Sequence, residues 1–480
     1  MSTYLGFYLG HDSSIAVSID GKIKYRKSER FLQEKHHKAN EDFVWKTLKD
    51  WGVTKVDCCA YTDADNGRGG CAKDELFCSG ILKEIPSFRL DHHYAHSLSL
   101  WPIVDSDKID YAVSVDGKGD WNRSAMIVQS PANNPKIIKT EPFPSLGFEF
   151  YLMGLMLGLK GLENDLAGKL MGLQSYSDIE IEKFGLPRLI NTNYKNFNID
   201  GFTLKSSIDG NYNNYNEWHE YWWEYLLKIF DGLPRDSTIA YTGGCAQNSV
   251  YNYRLKKIFP NLHIPPHCYD GGLPLGCLEF LRIHFKQDKF DKTDFPFWQD
   301  DLIEEQPNQT TIKKTAELIA KGHIIGWMQG RGELGPRALG NRSILMNATI
   351  AENKNTLNQR VKKREPWRPY AGSVLKEFAK DYFDMDESKY MLYACKVLND
   401  KIPAITHVDQ TCRMQTVEYG PFYELIKEYY KITGIPILLN TSLNVMGKPV
   451  ASHAWNGDFL NYCQLDSLIV GNKIYKGIKL

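Results

Sequence analysis

Two histidines four residues apart, in Asp91-His92-His-Tyr-Ala-His96-Ser97, are the first residues whose spacing could do chemistry. On a helix, positions i and i+4 share a face, so both imidazoles can turn toward one ion. Neutral imidazole ligates borderline divalent metals such as zinc and iron. Two nitrogens do not complete a site, and an HxxxH pair alone is a weak signal. The chain supplies carboxylates where apolar runs break into glycine: Asp116 in Ser-Val-Asp116-Gly-Lys-Gly-Asp-Trp, and Asp270 in Tyr-Asp270-Gly-Gly-Leu-Pro-Leu-Gly. Each can project from a strand or loop end, and His/His/Asp/Asp is a coherent set for a divalent transition metal. His263 and His267 are also four apart, but Pro265-Pro266 between them forbids a helix.

Several loops suit an anionic ligand. Gly10-His11-Asp12-Ser13-Ser14 follows a strand-like run and lets backbone amides come close to a phosphate or substrate, although alone it reads best as a plain turn. Gly117-Lys118-Gly119 and Gly243-Gly244-Cys-Ala-Gln-Asn248 each follow a short apolar strand, as nucleotide-binding loops do. Lys169, flanked by Gly168 and Gly172, either approaches a nucleotide or snorkels. The second half is richer in cations. Arg331, Arg337 and Arg342 lie among glycines, and Lys362, Lys363, Arg364 and Arg368 interleave with Pro and Trp. Arg413 follows in His407-Val-Asp-Gln-Thr-Cys-Arg413, and Asn440, Ser442 and Asn444 bring polar groups after a strand. Guanidinium forks match phosphate and carboxylate oxygens. Basic runs are usually solvated faces, but here the Gly, Pro and aromatic residues between them favour a preformed polyanion pocket. Lys22 to Lys38, with charges of both signs, reads as a solvated face.

At 480 residues the chain is too long for one ordinary core. Formal net charge is zero, which gives no general pull toward nucleic acid or anionic membrane, though a local basic groove is allowed. The N-terminus leads straight into strand-like alternation, so no secretory leader is expected. The apolar run Phe150–Leu159 is far below the roughly 20 residues that a membrane span needs. Ten cysteines show no CxxC framework and read as buried thiols of a reducing, cytoplasmic setting. Patterning predicts strand–turn–strand over Tyr4–Glu29 with a hairpin turn at Asp20-Gly21, and helices over Glu41–Trp51, Gly147–Gly172, Asn216–Phe230 and Thr311–Lys321. Strands are expected at Val56–Thr62, Tyr111–Val115, Ser237–Tyr241, His323–Gln329 and Ile435–Leu439, and loops at Asn66–Gly70. The Asn/Tyr-rich stretch Asn191–Tyr215 is expected as a surface hairpin or loops, and the aperiodic stretch Asp291–Thr311 as a linker.

In order, these motifs resemble the carbamoyltransferases of antibiotic tailoring and nodulation: Gly-His11-Asp12, His92-His-Tyr-Ala-His96, Asp116-Gly-Lys-Gly, Gly-Lys169-Leu-Met-Gly, Gly243-Gly244-Cys-Ala-Gln-Asn248, Asp270-Gly-Gly, Gly335-Pro-Arg337-Ala-Leu-Gly-Asn-Arg342, Arg364-Glu-Pro-Trp-Arg368-Pro, His407 to Arg413 and Asn440-Thr-Ser-Leu-Asn444. The chain is short for that family. The resemblance implies a mixed α/β protein. Residues 1–300 would be an actin-like (ASKHA) domain similar to the tRNA threonylcarbamoyl-transfer protein, binding metal and nucleotide. Residues 301–480 would be a YrdC-like α/β domain that forms carbamoyladenylate from ATP and carbamoyl phosphate.

In that scheme His92, His96, Asp116 and Asp270 hold a divalent metal, foremost Fe2+, with Mg2+ a further candidate beside ATP. Gly117, Lys118, Gly119, Gly243, Gly244 and Asn248 meet the nucleotide. Arg337, Arg342, Lys362, Arg364, Arg368, Arg413, Asn440, Ser442 and Asn444 bind carbamoyl phosphate and ATP. His11 is the expected general base, with Asp12 the next choice and Lys169 a third catalytic candidate. The leading expectation is an ATP-dependent O-carbamoyltransferase acting on a small-molecule hydroxyl (sugar, antibiotic or nucleoside), with no membrane partner and a homodimer allowed. The alternatives are a hydroxymethyl base in DNA, threonylcarbamoyl modification of tRNA, and a non-catalytic ATP-binding module. Zero net charge weighs against the DNA acceptor, and the full set of ligands and cationic loops against the module.

Overall fold

The computed structural model of the protein describes residues 2–62, 85–142, 145–161, 163–187, 197–199, 202–204, 214–445, 447–452 and 463–477. The loop expected at Asn66–Gly70 lies outside the described residues. Chain order builds two sheets of the same plan. The first contains β1 (Thr3–Tyr8), β2 (Ser14–Ile19), β3 (Lys22–Lys27), β4 (Cys58–Thr62) and β5 (Ser87–Arg89). The second contains β6 (Tyr111–Val115), β7 (Arg123–Gln129), β8 (Lys136–Pro142), β11 (Ile239–Thr242) and β12 (Leu262–His263); between them a separate hairpin pairs β9 (Phe197–Ile199) with β10 (Phe202–Leu204).

Spatial order in the first sheet is β3-β2-β1-β4-β5, and in the second β8-β7-β6-β11-β12. In each, the first three strands meander antiparallel and the last two join in parallel. This doubled pattern is the actin-like arrangement that the sequence resemblance implies. Asp20 and Gly21 both have positive φ, 52° and 81°, as the tight hairpin between β2 and β3 demands.

The helix Leu273–His284 is wedged between the two halves. Gly6 of β1 lets the Pro274 carbonyl approach so closely that a Cβ would lie 2.2 Å from its oxygen. Gly276 does the same for the Ala95 carbonyl, at 1.9 Å, and so seats the helix His92–Leu98 against it. Both faces of the wedge are therefore fixed by backbone contact. Asp91 caps the His92–Leu98 helix by accepting from the Tyr94 N–H at 3.2 Å, and the His92 N–H donates to Asp120 Oδ2 at 2.8 Å.

A third, eight-stranded sheet follows: β13 (Ile325–Met328), β14 (Arg342–Asn347), β15 (Ala371–Leu375), β16 (Ala394–Lys396), β17 (Thr411–Val417), β18 (Ile437–Ser442), β19 (Ser467–Val470) and β20 (Lys473–Lys476), in the order β16-β17-β15-β18-β14-β13-β19-β20. One face is covered by the helices Gln309–Ala320 and Gly420–Thr433 through Ile312, Ala316, Leu425 and Ile426. Each predicted strand and helix named above has a counterpart within about three residues of its expected ends, with one exception. The run Gly147–Gly172 is two helices, Leu146–Met156 and Glu163–Leu173, because Gly158 and Gly161 adopt φ of 69° and 140° between them.

Two further readings are corrected. Lys22–Lys38 is a solvated face only at Lys22, Lys24, Glu34 and Lys38; Arg26, Lys27, Glu29 and Arg30 are all buried. The stretch Asp291–Thr311 lacks regular strands and helices up to Asn308, as expected, but it is packed rather than a spacer: Trp298, Gln299 and Asp301 are buried. Among the described residues no helix is long and apolar enough to cross a membrane.

Candidate metal and anion centres

The wedge brings the two histidines under the two carboxylates. His96 Nε2 lies 3.2 Å from Asp116 Oδ2 and 3.3 Å from Asp270 Oδ1, and His92 Nε2 lies 3.5 Å from Asp270 Oδ1. All four residues are buried, and one ligand atom from each falls within 4.8 Å of the others. Neither ring nitrogen of His92 or His96 has a hydrogen-bond partner. Burial works against a charged His96, yet Asp116 and Asp270 hold its pKa up to about 9. Burial and Asp270 push the Asp116 carboxyl upward, but His96 and His92 hold it below the usual range. Two anions facing two orphaned imidazoles away from water need positive charge between them, and the donor set fits a borderline divalent ion. Asp116 is aimed by backbone amides: Gly117 N–H donates to Oδ1 at 2.5 Å and Gly244 N–H to Oδ2 at 2.7 Å.

His11 joins this group from β1. Its Nε2 is 3.4 Å from Asp270 Oδ2, and its Nδ1 is 3.1 Å from Asp12 Oδ2. Burial opposes charge on His11, but Asp270 and Asp12 hold its pKa up to about 9. Asp12 sits at a φ of 62° and also receives Lys27 Nζ at 2.9 Å and His36 Nδ1 at 3.1 Å. Lys27, Glu29 and His36 were overlooked in the sequence because they stand in a mixed-sign run. The alternation of signs over Arg26-Lys27-Ser28-Glu29-Arg30 was the available signal.

The glycine loops surround Asp116 tightly. A Cβ on Gly147 would lie 3.0 Å from Gly117 Cα, and Gly243, at φ 90°, leaves 2.1 Å between its hypothetical Cβ and the Val115 carbonyl oxygen. Gly119 packs its Cα on the His93 ring. Lys118 is half-buried in the same loop. Asn248 is a helix cap: its Oδ1 accepts from the Val250 and Tyr251 N–H groups at 3.2 Å each. That oxygen is engaged inside the protein as a cap. Lys169 pairs with Glu365 at 2.6 Å and donates to the Lys160 carbonyl, so it ties the helix Glu163–Leu173 to the third sheet's loops.

The third sheet contributes a cluster of opposite character. Burial first, and then Arg337, Arg364 and Arg368, depress the Arg413 pKa well below its ordinary value. Burial, with Arg368 adding, brings Arg364 down to about 10 against the pull of Tyr370, whose ring lies 4.3 Å from the guanidinium. Arg337 is likewise at about 10, from burial and Arg368. The Nε atoms of Arg337, Arg364 and Arg413 are buried without a partner. Glu365, 3.5 Å from Arg368, is the one carboxylate that the described ion pairs bring to these arginines. Lys362 is held down by burial and by Arg364; its Nζ donates to the Ser442 carbonyl at 2.7 Å and to Asn444 Oδ1 at 2.6 Å, which engages Ser442 and Asn444 as well. Asn440 is fully buried, donating to the Ala338 carbonyl at 3.2 Å and to Ser373 Oγ at 2.9 Å, with its Oδ1 unpartnered.

Arg342 is the correction here. Its five N–H groups are spent on Asp301 Oδ2 (3.1 Å) and the Asp301 carbonyl, and on the carbonyls of Gln329 (2.6 Å), Asn341 (2.8 Å) and Gly330 (3.1 Å). It shapes the loop that carries Arg337 and has no donor left for a phosphate.

The two centres meet at one turn. The 3-10 helix Gly244–Gln247 gives its first amide to Asp116, and the Gln247 carbonyl accepts from Arg337 at 3.4 Å. Trp367 Nε1 donates to the Lys169 carbonyl at 3.3 Å across the same seam.

A doubled actin-like sheet joined to an eight-stranded sheet, with a ligand cluster and a cation cluster at their junction, defines the class. Residues 316–476 match the family model described as "Carbamoyltransferase C-terminus". The chain is 36% identical over 269 residues to nodulation protein NolNO of Sinorhizobium fredii, covering 50% of this chain and 39% of that protein. It is 28% identical over 434 residues to nodulation protein NolO of Bradyrhizobium diazoefficiens, covering 80% and 78%. Full-length HypF in its phosphate- and nucleotide-bound form is a structural neighbour with TM-score 0.38 and 14% identity, covering 60% of this chain and 56% of that one. The resemblance read from the motifs is thereby borne out: residues 316–476 match a carbamoyltransferase C-terminal domain, in a chain similar to the nodulation proteins.

Proposed function

We propose that the protein is an ATP-dependent O-carbamoyltransferase, with the four-arginine cluster as its carbamoyl phosphate and ATP site and the His/His/Asp/Asp cluster as its transfer site. The observation that carries this reading is the single turn Gly244–Gln247, which touches both clusters. Half-buried guanidiniums crowded together, with three Nε atoms unpartnered, call for a polyanion. Arg337, Arg364, Arg368 and Arg413 would bind the phosphates, and carbamate released from carbamoyl phosphate would displace pyrophosphate from ATP to give carbamoyladenylate. The mixed anhydride is sensitive to water, so a short enclosed route between the clusters serves it.

A divalent ion, Fe2+ foremost, held by His92, His96, Asp116 and Asp270 would supply a Lewis acid for the charge that develops on the carbamoyl oxygen. His11 stands beside Asp270 with its Nδ1 directed to Asp12. Positive charge at the cluster offsets Asp270 and returns the imidazole toward the neutral state that a general base needs. His11 Nε2 then takes the acceptor's hydroxyl proton, the acceptor oxygen bonds to the carbamoyl carbon, and AMP leaves. A small-molecule hydroxyl is the acceptor we favour. The test is incubation with ATP, carbamoyl phosphate and a panel of sugars, nucleosides and hydroxymethylated DNA. One acceptor should gain the mass of a carbamoyl group, with AMP and pyrophosphate formed in step. Carbamoyl transfer without ATP consumption would overturn the reading.

A further inference from the structure

Asp12, Glu29 and His36 form a second cluster that has the ligand types and closeness of a metal site, beside the first. The Lys27 ammonium already sits among them. Its Nζ is 2.9 Å from Asp12 Oδ1, 2.8 Å from Glu29 Oε1 and 4.5 Å from the centre of the Tyr269 ring. Those two carboxylates and an aromatic face account for all three N–H groups of the ammonium. Lys27 is only 3% exposed, so its charge is balanced inside the protein. Glu29 secures the neighbouring loop as well, since its Oε2 accepts from the His36 backbone N–H at 3.1 Å.

We infer that the Lys27 ammonium is a built-in cation standing where a second divalent ion would bind, and that it is a positioning residue acting through Asp12 on His11. Asp12 has to remain ionised at a buried, left-handed position to accept the Nδ1 proton of His11. An ion there would do this only while bound, whereas a lysine does it permanently. The cluster then takes no second metal, and the metal count of the protein is set by His92, His96, Asp116 and Asp270 alone. The inference rests on the reading of His11 as base, but its first test does not.

Full-length protein and its Lys27→Ala and Lys27→Arg variants are loaded with Mn2+, an ion suited to two carboxylates and one imidazole, and metal is counted per folded chain. Wild type and Lys27→Arg should hold about one equivalent and Lys27→Ala about two, with the Mn2+ EPR spectrum of Lys27→Ala broadened by the nearby second ion. Should Lys27→Ala fold only with Mn2+ present, that dependence is the same result. Two equivalents in wild type, one in folded Lys27→Ala, or failure of that variant to fold even with metal, each overturns the inference. The positioning role is read separately. Lys27→Ala without added Mn2+ should lose carbamoyl transfer by about 10-fold or more while pyrophosphate release is kept, and the Asp12→Asn/Lys27→Ala double variant should lose no more than Asp12→Asn alone. Additive losses would make Lys27 merely structural. If wild type transfers to no acceptor, the proposed function fails while the metal count still decides this point.

Discussion

The two centres solve the problem of buried charge in opposite ways. At the first, two carboxylates face two imidazoles, and each acid is aimed by backbone amides or by a neighbouring histidine. At the second, Arg337, Arg364, Arg368 and Arg413 crowd together, Glu365 pairs with Arg368, and neighbouring guanidiniums depress the proton affinity of Arg337, Arg364 and Arg413. A buried pair of carboxylates facing unpartnered imidazoles calls for a cation. A cluster of cations calls for an anion in the same way.

The sharpest break is to remove the first centre and leave the second. His92→Ala/His96→Ala should bind no metal and lose carbamoyl transfer by roughly 10³-fold or more, the worth of a Lewis acid contributing several kcal/mol. Pyrophosphate release should persist, as measured by metal analysis and a coupled pyrophosphate assay. Loss of both activities in a folded variant would erase the division of labour. Next is His11→Asn, which keeps size and a hydrogen-bond donor but cannot take the proton. Its kcat should fall about 10²–10⁴-fold with acceptor KM little changed, and a rise confined to KM would move the base elsewhere.

Arg413→Met tests the imbalance itself. It should cut pyrophosphate formation by about 10²-fold yet modestly raise the Tm of the substrate-free protein, since an apolar residue there removes one of four crowded, half-buried positive charges. A fall in Tm would mean that the cluster is not strained. The smallest effect is a pH dependence. Burial works against charge on His36, but Asp12 and Asp165 hold its pKa at about 9, above the ordinary imidazole value. Its contribution to stability, on the order of 2 kcal/mol, is thus complete below about pH 6.5 and is lost as pH rises through about 9. Urea unfolding of wild type and His36→Gln across that window should converge at its alkaline end.

Much of the first centre was legible because its residues break patterns. An i,i+4 histidine pair, an Asp-Gly at a strand end and an Asp-Gly at a helix start interrupt apolar runs, and interruption has a physical cause. The second centre was legible only in composition. Arginines among glycines announced an anion pocket, but nothing in the order of residues told Arg337, whose Nε is left unpartnered, from Arg342, whose donors all turn inward. Lys27 and Glu29 hide for a related reason: charges at the end of an edge strand and the start of the next helix look solvated until another layer is packed on them. The doubled sheet could not be read from strand patterns at all. It rests on pairings between residues far apart in the chain, such as Ile239 with Tyr111.

The Arg342–Asp301 contact has a consequence for anyone who would divide this chain. The carboxylate that neutralises the deepest arginine of the third sheet belongs to a stretch without helix or strand, ahead of the helix that begins at Gln309. A fragment begun at that helix would leave a guanidinium sealed in the interior with no counter-charge, a loss of about 3–5 kcal/mol. That is a large fraction of what holds a domain together. A cut made a few residues earlier, so that Asp301 travels with its arginine, avoids that loss.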